Sequence, residues 1–455
     1  MPIPRRTALA ALAAAPFARA QEAPALTLST FSAEVTIPVG HPCMGGGIAP
    51  AKEVLDPLEA RGFVLRGAGR PVVVLAVDWC EIRNAAYDRF RAKVAAAVGT
   101  DPVRVMLSAL HQHDAPIFDT AAEELLERHK AGASVGSVAV FERLTTAVAD
   151  AAAASLRAAR RVTHLGTGRA RVEQVASNRR YLDNAGQVRY NRMSATRDPK
   201  VRAAGEGTID PELKLLSFWD GDTALAGLSA YAVHPMSFYG RGGVTADFVG
   251  LARRRLQADT PGALQLYASG CSGNVTAGKF NDGDPGNRPV LADRMYRAMA
   301  AAWRDTRKVP VTTPTFRNVP LTLEARGGAE LATEALTARL TTDARPFGRC
   351  LAALGLSWAN RVRAGVPVDV PALDFGGAVL TVLPAESYVE FQLAAQRERP
   401  NDFVVVAGYG ECGPGYIPVE RAWAENDGNL SDWCWVARGS EARLTDAVRR
   451  ALARG

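Results

Sequence analysis

The sequence predicts an α/β fold built on a mixed sheet, and three observations predict it. Short apolar runs alternate with longer segments of helical period along most of the 455 residues. Two of the runs, at 214–219 and 223–233, flank Asp220-Gly221-Asp222 and read as a hairpin, so antiparallel and parallel pairing are both expected. Hydrophobic residues make up 47% and charged residues 22%. Those values are near the globular average, which excludes a disordered chain, a collagen-like repeat or a coiled-coil rod.

The elements follow in order. Residues 71–77 form an apolar strand ended by Asp78. Tyr87, Phe90, Val94 and Val98 recur at helical spacing over 84–98. A strand is expected at 103–110 and a helix at 138–159, with Val138, Phe141, Leu144 and Val148 on one stripe. After the hairpin come a helix at 248–258, a strand at 264–268 and a helix at 291–303. The stretch 278–288 is rich in Gly, Asp and Asn and reads as a long polar loop. A strand at 378–383 leads into a helix that runs to Arg397; a strand at 403–407 and a helix at 441–453 close the chain.

The first twenty residues stand apart. Arg5 and Arg6 precede a short apolar stretch, and Ala18-Arg19-Ala20 is a small-residue cleavage motif. That order of regions is a secretory signal peptide, too short to span a membrane, with cleavage near Ala20 and export to the periplasm or beyond. The arginine pair leaves Sec and twin-arginine export both open. Losing Arg5, Arg6 and Arg19 lowers the net charge from +7 to +4, too little to mark a nucleic-acid surface. Arg253-Arg254-Arg255 is the longest basic cluster and reads as a solvated helix face. No apolar run approaches a transmembrane span. The six cysteines could be oxidised after export, with fifteen pairings open, and they form no Cys-x-x-Cys pair for a metal.

One regularity points to chemistry. The apolar runs lead directly into His111-Gln112-His113, into His234, into Glu386, and into Tyr409 and Tyr416. In α/β sheets ligands bind outside the carboxyl ends of strands, so four separated segments can converge on one site. His111 and His113 lie at strand spacing and can share a face. Two imidazoles, a carboxylate and an open position make a catalytic zinc site, where the ion polarises a carbonyl and acidifies water. Structural readings stand beside these. A histidine pair is also a hydrogen-bonded core pair, and Arg179-Arg180 an exposed pair. Glu386 at a helix start is favoured by the helix dipole alone, and Tyr416 serves equally as a core aromatic. Asp78 reads as a structural hydrogen-bonder and Asp247 as a helix cap.

Seven motifs together resemble the neutral/alkaline non-lysosomal ceramidase family. The opening Asp56-Pro57-Leu58-Glu59-Ala60-Arg61-Gly62 is similar to that family's first segment, and His111-Gln112-His113-Asp114-Ala115-Pro116 to its T-H-T-H-S-G-P signature. Asn178-Arg179 matches an N-R element. His234-Pro235 followed by Ala246-Asp247 resembles H-P…S-A-D. Gly270 to Thr276 is similar to the G-D-V-S-P-N loop, and Leu383-Pro384-Ala385-Glu386 to L-P-G-E. Gly408-Tyr409 and Gly415-Tyr416 resemble the tyrosine segment that follows. The resemblance implies a zinc hydrolase of an amide (N-acyl) bond in a small or lipid-like substrate. It implies Zn2+ held by His111, His234, Glu386 and Tyr416, with His113 and Arg179 at the reacting groups. It also implies one catalytic domain over 21–455, without the family's C-terminal immunoglobulin-like domain.

The departures are local. Asn274-Val275-Thr276 stands where the family has Asp-Val-Ser, so the catalytic hydroxyl nucleophile that the resemblance implies becomes Thr276 and the acid becomes an amide. That substitution favours direct attack by water and weakens the case for ceramide itself. Two readings compete: a non-catalytic ligand-binding protein that keeps the fold, and a hydrolase of an ester or phosphoester in which Arg179 reads the charge.

Overall fold

The computed structural model describes residue 1, residues 25–67 and residues 69–454. Residues 2–20 of the expected signal peptide, with the cleavage position, lie outside the described residues.

Three sheets carry the fold. In the first, Val105–Ala109, Val72–Val77, Glu59–Arg66, Thr27–Glu34 and Arg160–Arg161 lie side by side in that order. The second runs Leu264–Ser269, Thr223–Tyr231, Glu212–Asp220, His164–Arg171 and Arg307–Pro310. The third runs Thr315–Leu321, Val368–Asp374, Ala378–Val382 and Phe403–Ala407. All three are mixed, as the sequence predicts. Each is antiparallel except for one parallel pair at an edge: Val72–Val77 with Val105–Ala109, Thr223–Tyr231 with Leu264–Ser269, and Ala378–Val382 with Phe403–Ala407.

Side chains from all three sheets meet in one apolar cluster, with Phe63 and Val74 from the first, Phe218 and Leu228 from the second, and Leu380 and Val405 from the third. Helices cover other faces. Val138–Ser155 lies on the first sheet, with Asn84–Val98 against that helix. Asp247–Asp259 and Asn287–Arg304 lie on the second, and Ser440–Leu452 on the third. Burial on both sides explains why the parallel strands read as unbroken apolar runs. Every residue of Val72–Val77 and Val105–Ala109 is buried, at about 1.5–3 kcal/mol for each large aliphatic side chain.

The three edge strands are stitched together at their C-terminal ends. Ala109 N–H donates to the Tyr409 carbonyl at 2.9 Å, Ser269 Oγ to the Leu110 carbonyl at 2.7 Å, and Gly408 N–H to the Ser269 carbonyl at 2.7 Å. The segments that carry the reactive residues leave the sheets at this junction.

Two expectations are corrected. Arg253 is not on a solvated face. It is buried and ion-paired to Asp78 at 2.6 Å and to Glu59 at 3.0 Å, because the helix seats it over the end of the first sheet. Arg254 pairs with Asp56 at 2.5 Å. The six cysteines are all free and buried, so no disulfide staples the fold.

Candidate metal site and its cavity

His111 follows the strand Val105–Ala109 and takes a left-handed backbone, φ 73°. Its Nδ1 faces the Cys80 carbonyl at 3.1 Å. His234 lies three residues past Thr223–Tyr231, and its Nδ1 faces the Ser272 carbonyl at 2.5 Å and the Val275 carbonyl at 3.2 Å. A carbonyl only accepts, so both imidazoles carry their proton on Nδ1 and present an Nε2 lone pair. Both lone pairs point at one oxygen. Glu386 Oε2 is 3.0 Å from His234 Nε2 and 3.2 Å from His111 Nε2. Glu386 sits in the two-residue strand Glu386–Ser387, paired in parallel with Tyr416–Ile417 so that Glu386 faces Tyr416.

All three groups are buried, and their ligand atoms lie within 4.8 Å of one another. Electron-rich atoms gathered with no proton between them call for a cation, and His111 Nε2 has no hydrogen-bond partner. The electrostatics agree. Burial opposes protonation of His111, but Glu386 outweighs it and raises the His111 pKa above its ordinary value. Burial would raise the Glu386 carboxyl, yet the two histidines pull it well below the usual range. Burial and the Arg179 charge push His234 down to about 4. Glu386 thus favours a positive charge beside His111, as a bound cation would supply. The donor set, two neutral imidazoles and a carboxylate, suits a divalent ion such as zinc.

Arg179 is buried beside this group, which answers the reading of an exposed arginine pair. Its Nη1 donates to Tyr416 Oη at 2.7 Å, and its Nη2 lies 3.4 Å from His234 Nε2. The next residue, Arg180, turns away to Glu425 at 2.6 and 2.7 Å. His113 stands over the site, its ring centroid 5.4 Å from that of His111 and 4.8 Å from that of Tyr239. Burial and the neighbouring His111 and His234 hold its pKa well below the ordinary value, and its Nδ1 has no partner. Thr276 lies on the short strand Val275–Thr276 behind His234. Its hydroxyl donates to the Met193 carbonyl at 2.8 Å and accepts from Gly278 N–H at 3.2 Å.

A cavity of about 340 Å3 opens over these residues, with His111, His113, Glu386 and Tyr416 in its lining. Phe347 and Trp433 form an aromatic wall, stacked at 6.3 Å, and Asn429 and Ser431 line the wall beside them. His234, Arg179 and Thr276 are not among the lining residues; His234 and Arg179 stand directly behind Glu386 and Tyr416.

Two supporting residues complete the site: Tyr409, which the sequence places after an apolar run without a role of its own, and Glu81, which it does not single out. Tyr409 stacks on the His111 ring at 4.2 Å, and its hydroxyl is 2.6 Å from Ser272 Oγ and 3.4 Å from His234 Nδ1. Its place at the end of Phe403–Ala407 was the available signal. Glu81 is fully buried, 3.8 Å from His111 Nδ1, ion-paired to Arg83 at 2.6 Å and bonded by Trp433 Nε1 at 3.3 Å. Burial lifts its pKa to about 7 against the pull of Arg83. An acid four residues past an apolar strand, in Asp78-Trp79-Cys80-Glu81, was its only mark in the sequence.

No family model matches the chain, and no curated protein is similar to it in sequence. Solved structures are. The crystal structure of neutral ceramidase from Pseudomonas aeruginosa superposes with a TM-score of 0.68 at 18% identity, over 94% of this chain and 74% of that one. A ceramidase complexed with C2 gives the same TM-score and coverage at 17% identity. The resemblance carried by the seven motifs therefore extends to the backbone: the chain has a ceramidase-like fold.

Proposed function

We propose that this protein is a metal-dependent hydrolase of an amide (N-acyl) bond, and that the metal is zinc held by His111, His234 and Glu386, with Tyr416 as a fourth candidate. The reading rests on one observation above the others: two imidazole lone pairs and a carboxylate oxygen converge on one point at the floor of a cavity. The ceramidase-like fold supports the amide bond as the target. A bound ion there would supply Lewis acidity and a more acidic water.

The chain's own groups do the rest. Arg179, fixed by Tyr416, presents a permanent positive charge to the carbonyl oxygen as it gains negative charge. His113 is neutral and lines the cavity, so it accepts the proton of the attacking water and returns it to the amine nitrogen as the C–N bond breaks. Tyr409 and the backbone carbonyls hold the two imidazoles in one tautomer and orientation. Thr276, with its hydroxyl engaged by a carbonyl, braces the segment behind His234 and leaves water as the nucleophile. A cavity of about 340 Å3 is at the small end for ligand sites. It encloses the scissile amide and its nearest groups, so a long-chain N-acyl substrate, ceramide included, extends past the rim. The signal peptide read in residues 1–20 supports export from the cytoplasm.

The test is metal analysis of the purified protein together with a panel of short- and long-chain N-acyl amides, carboxylic esters and phosphoesters. The expected result is close to one zinc per chain and zinc-dependent cleavage confined to amides. A metal-free protein that gains no activity with zinc, or turnover of phosphoesters alone, overturns the proposal.

A further inference from the structure

The segment 426–431 is a strap between two cavities. Gly428 and Ser431 line the cavity over the candidate metal site, and the same two residues line a second cavity of about 540 Å3. Two guanidinium groups converge in that second cavity. Arg326 and Arg438 lie 5.3 and 5.7 Å from the centroid of one indole, Trp423. Neither arginine has a carboxylate within ion-pair distance among the described residues, and Arg438 has no hydrogen-bond partner there. Arg326 uses part of its fork on the Leu430 and Cys434 carbonyls, which ties it to the strap itself.

The nearby acids are committed elsewhere. Asp427 takes the Tyr388 hydroxyl at 2.6 Å and both the backbone and side-chain N–H of Asn429, at 2.9 and 2.6 Å. Glu425 is held by Arg180 and Tyr190, and Glu324 by Arg443. Arg326 and the exposed Arg438 face a single carboxylate in the same lining, Asp427, whose oxygens are taken by Tyr388 and Asn429, so the cavity keeps a net positive charge. Guanidinium forks match the paired oxygens of a carboxylate or a phosphate, and the indole holds both forks at the cavity.

We propose that this second cavity is a binding site for a small oxyanion, a carboxylate or a phosphate, and that its occupancy stiffens the strap that walls the metal-site cavity. A carboxylate would come from the acyl product of amide hydrolysis, a source that rests on the function proposed above. A phosphate would come from solution. The anion site itself stands on Arg326, Arg438 and Trp423 and does not depend on that reading.

The experiment is calorimetric titration of the purified protein with inorganic phosphate and, separately, with hexanoate, at constant ionic strength set by chloride. Hydrogen exchange of the strap amides is followed in parallel. One of the two anions should bind, Arg438→Ala should weaken it about tenfold or more with the melting temperature unchanged, and Arg438→Lys should recover part of the loss. Amide exchange at 428–431 should slow on binding. Tighter binding of hexanoate identifies the product acid, and tighter binding of phosphate identifies the free ion. Equal binding by the wild type and Arg438→Ala, binding matched by chloride, or unchanged strap exchange overturns the proposal. None of these readouts uses amide turnover, so a failure of the catalytic reading and a failure of this site remain separate results.

Discussion

Glu386 and Asn429 line the same cavity, yet they are held by different means. The floor that carries Glu386, His111 and His234 is set by backbone. Its residues follow strands from three sheets whose ends hydrogen-bond to one another, and Glu386 and Tyr416 are themselves paired as strand neighbours. The wall that carries Asn429 is the strap 426–431, tied to the rest mainly by side chains: its neighbour Glu425 to Arg180, Asp427 to Tyr388, and Arg326 to Leu430, whereas Trp433 beyond it is anchored by its carbonyl to Tyr416 N–H at 2.9 Å. A floor built on ladders opens only when sheets open. A wall pinned by a few side chains yields locally at much lower cost. Precise metal geometry and an adaptable substrate wall are thereby separated within one cavity.

The comparison breaks most sharply at the floor. Glu386→Gln keeps the volume and removes the charge that the two imidazoles face. Metal content should fall to background and amide hydrolysis by about 10^3-fold or more, taking several kcal/mol as the contribution of a catalytic ion. A chelator should lower the melting temperature of the wild type and leave that of the variant unchanged. Arg179→Lys tests the charge beside the metal. It should retain full metal content and lose about 10^2-fold in kcat, because a single ammonium cannot hold Tyr416 and reach the carbonyl oxygen together.

Smaller effects sharpen the contrast. Tyr409→Phe keeps the stack on His111 and removes the hydroxyl next to Ser272 and His234. Metal affinity measured against a competing chelator should weaken about 10-fold, the scale of a group that orients a ligand. Glu425→Gln acts on the strap alone. A half-buried pair near the surface contributes about 1 kcal/mol, so kcat should change only a few-fold while amide exchange at 425–431 quickens. The Arg180 hydrogen bonds pull the Glu425 carboxyl down to about 2. A depressed carboxyl stabilises the folded strap above its unfolded pKa near 4.5, and that contribution is lost as pH falls toward 2. Wild-type strap exchange should therefore quicken across that window, and Glu425→Gln should lack the dependence.

Much of the framework was legible because its periodicity is strong. The helix Asn84–Val98 keeps the expected bounds, since Tyr87, Phe90, Val94 and Val98 all face the core. The helix Pro346–Arg363 was missed because nearly every residue from Gly348 to Trp358 is buried, which erases the polar face that marks a helix in sequence. The strand Glu59–Arg66 was missed because Gly62 interrupts its pattern. A side chain there would collide with the Phe31 ring at 2.5 Å, so the glycine serves close packing and not a turn. At the site, His111, His234 and Glu386 announced themselves by following apolar runs. Glu386 was expected to open a helix, yet it pairs as a strand with Tyr416, a contact thirty residues away that no local window contains. Glu81 and Trp433 gave weaker signals still, because their importance lies only in what they touch.

Alternating apolar periods fixed the α/β class, and residue type at strand ends fixed which side chains could bind a metal, because both are properties of local chain geometry. The tertiary structure alone decided that three sheets share a core and that their edge strands end at one junction. It also decided that two histidines present lone pairs to a single carboxylate oxygen. Those facts depend on hydrogen bonds and burial between segments far apart in the chain, and such partners are chosen only when the whole chain packs.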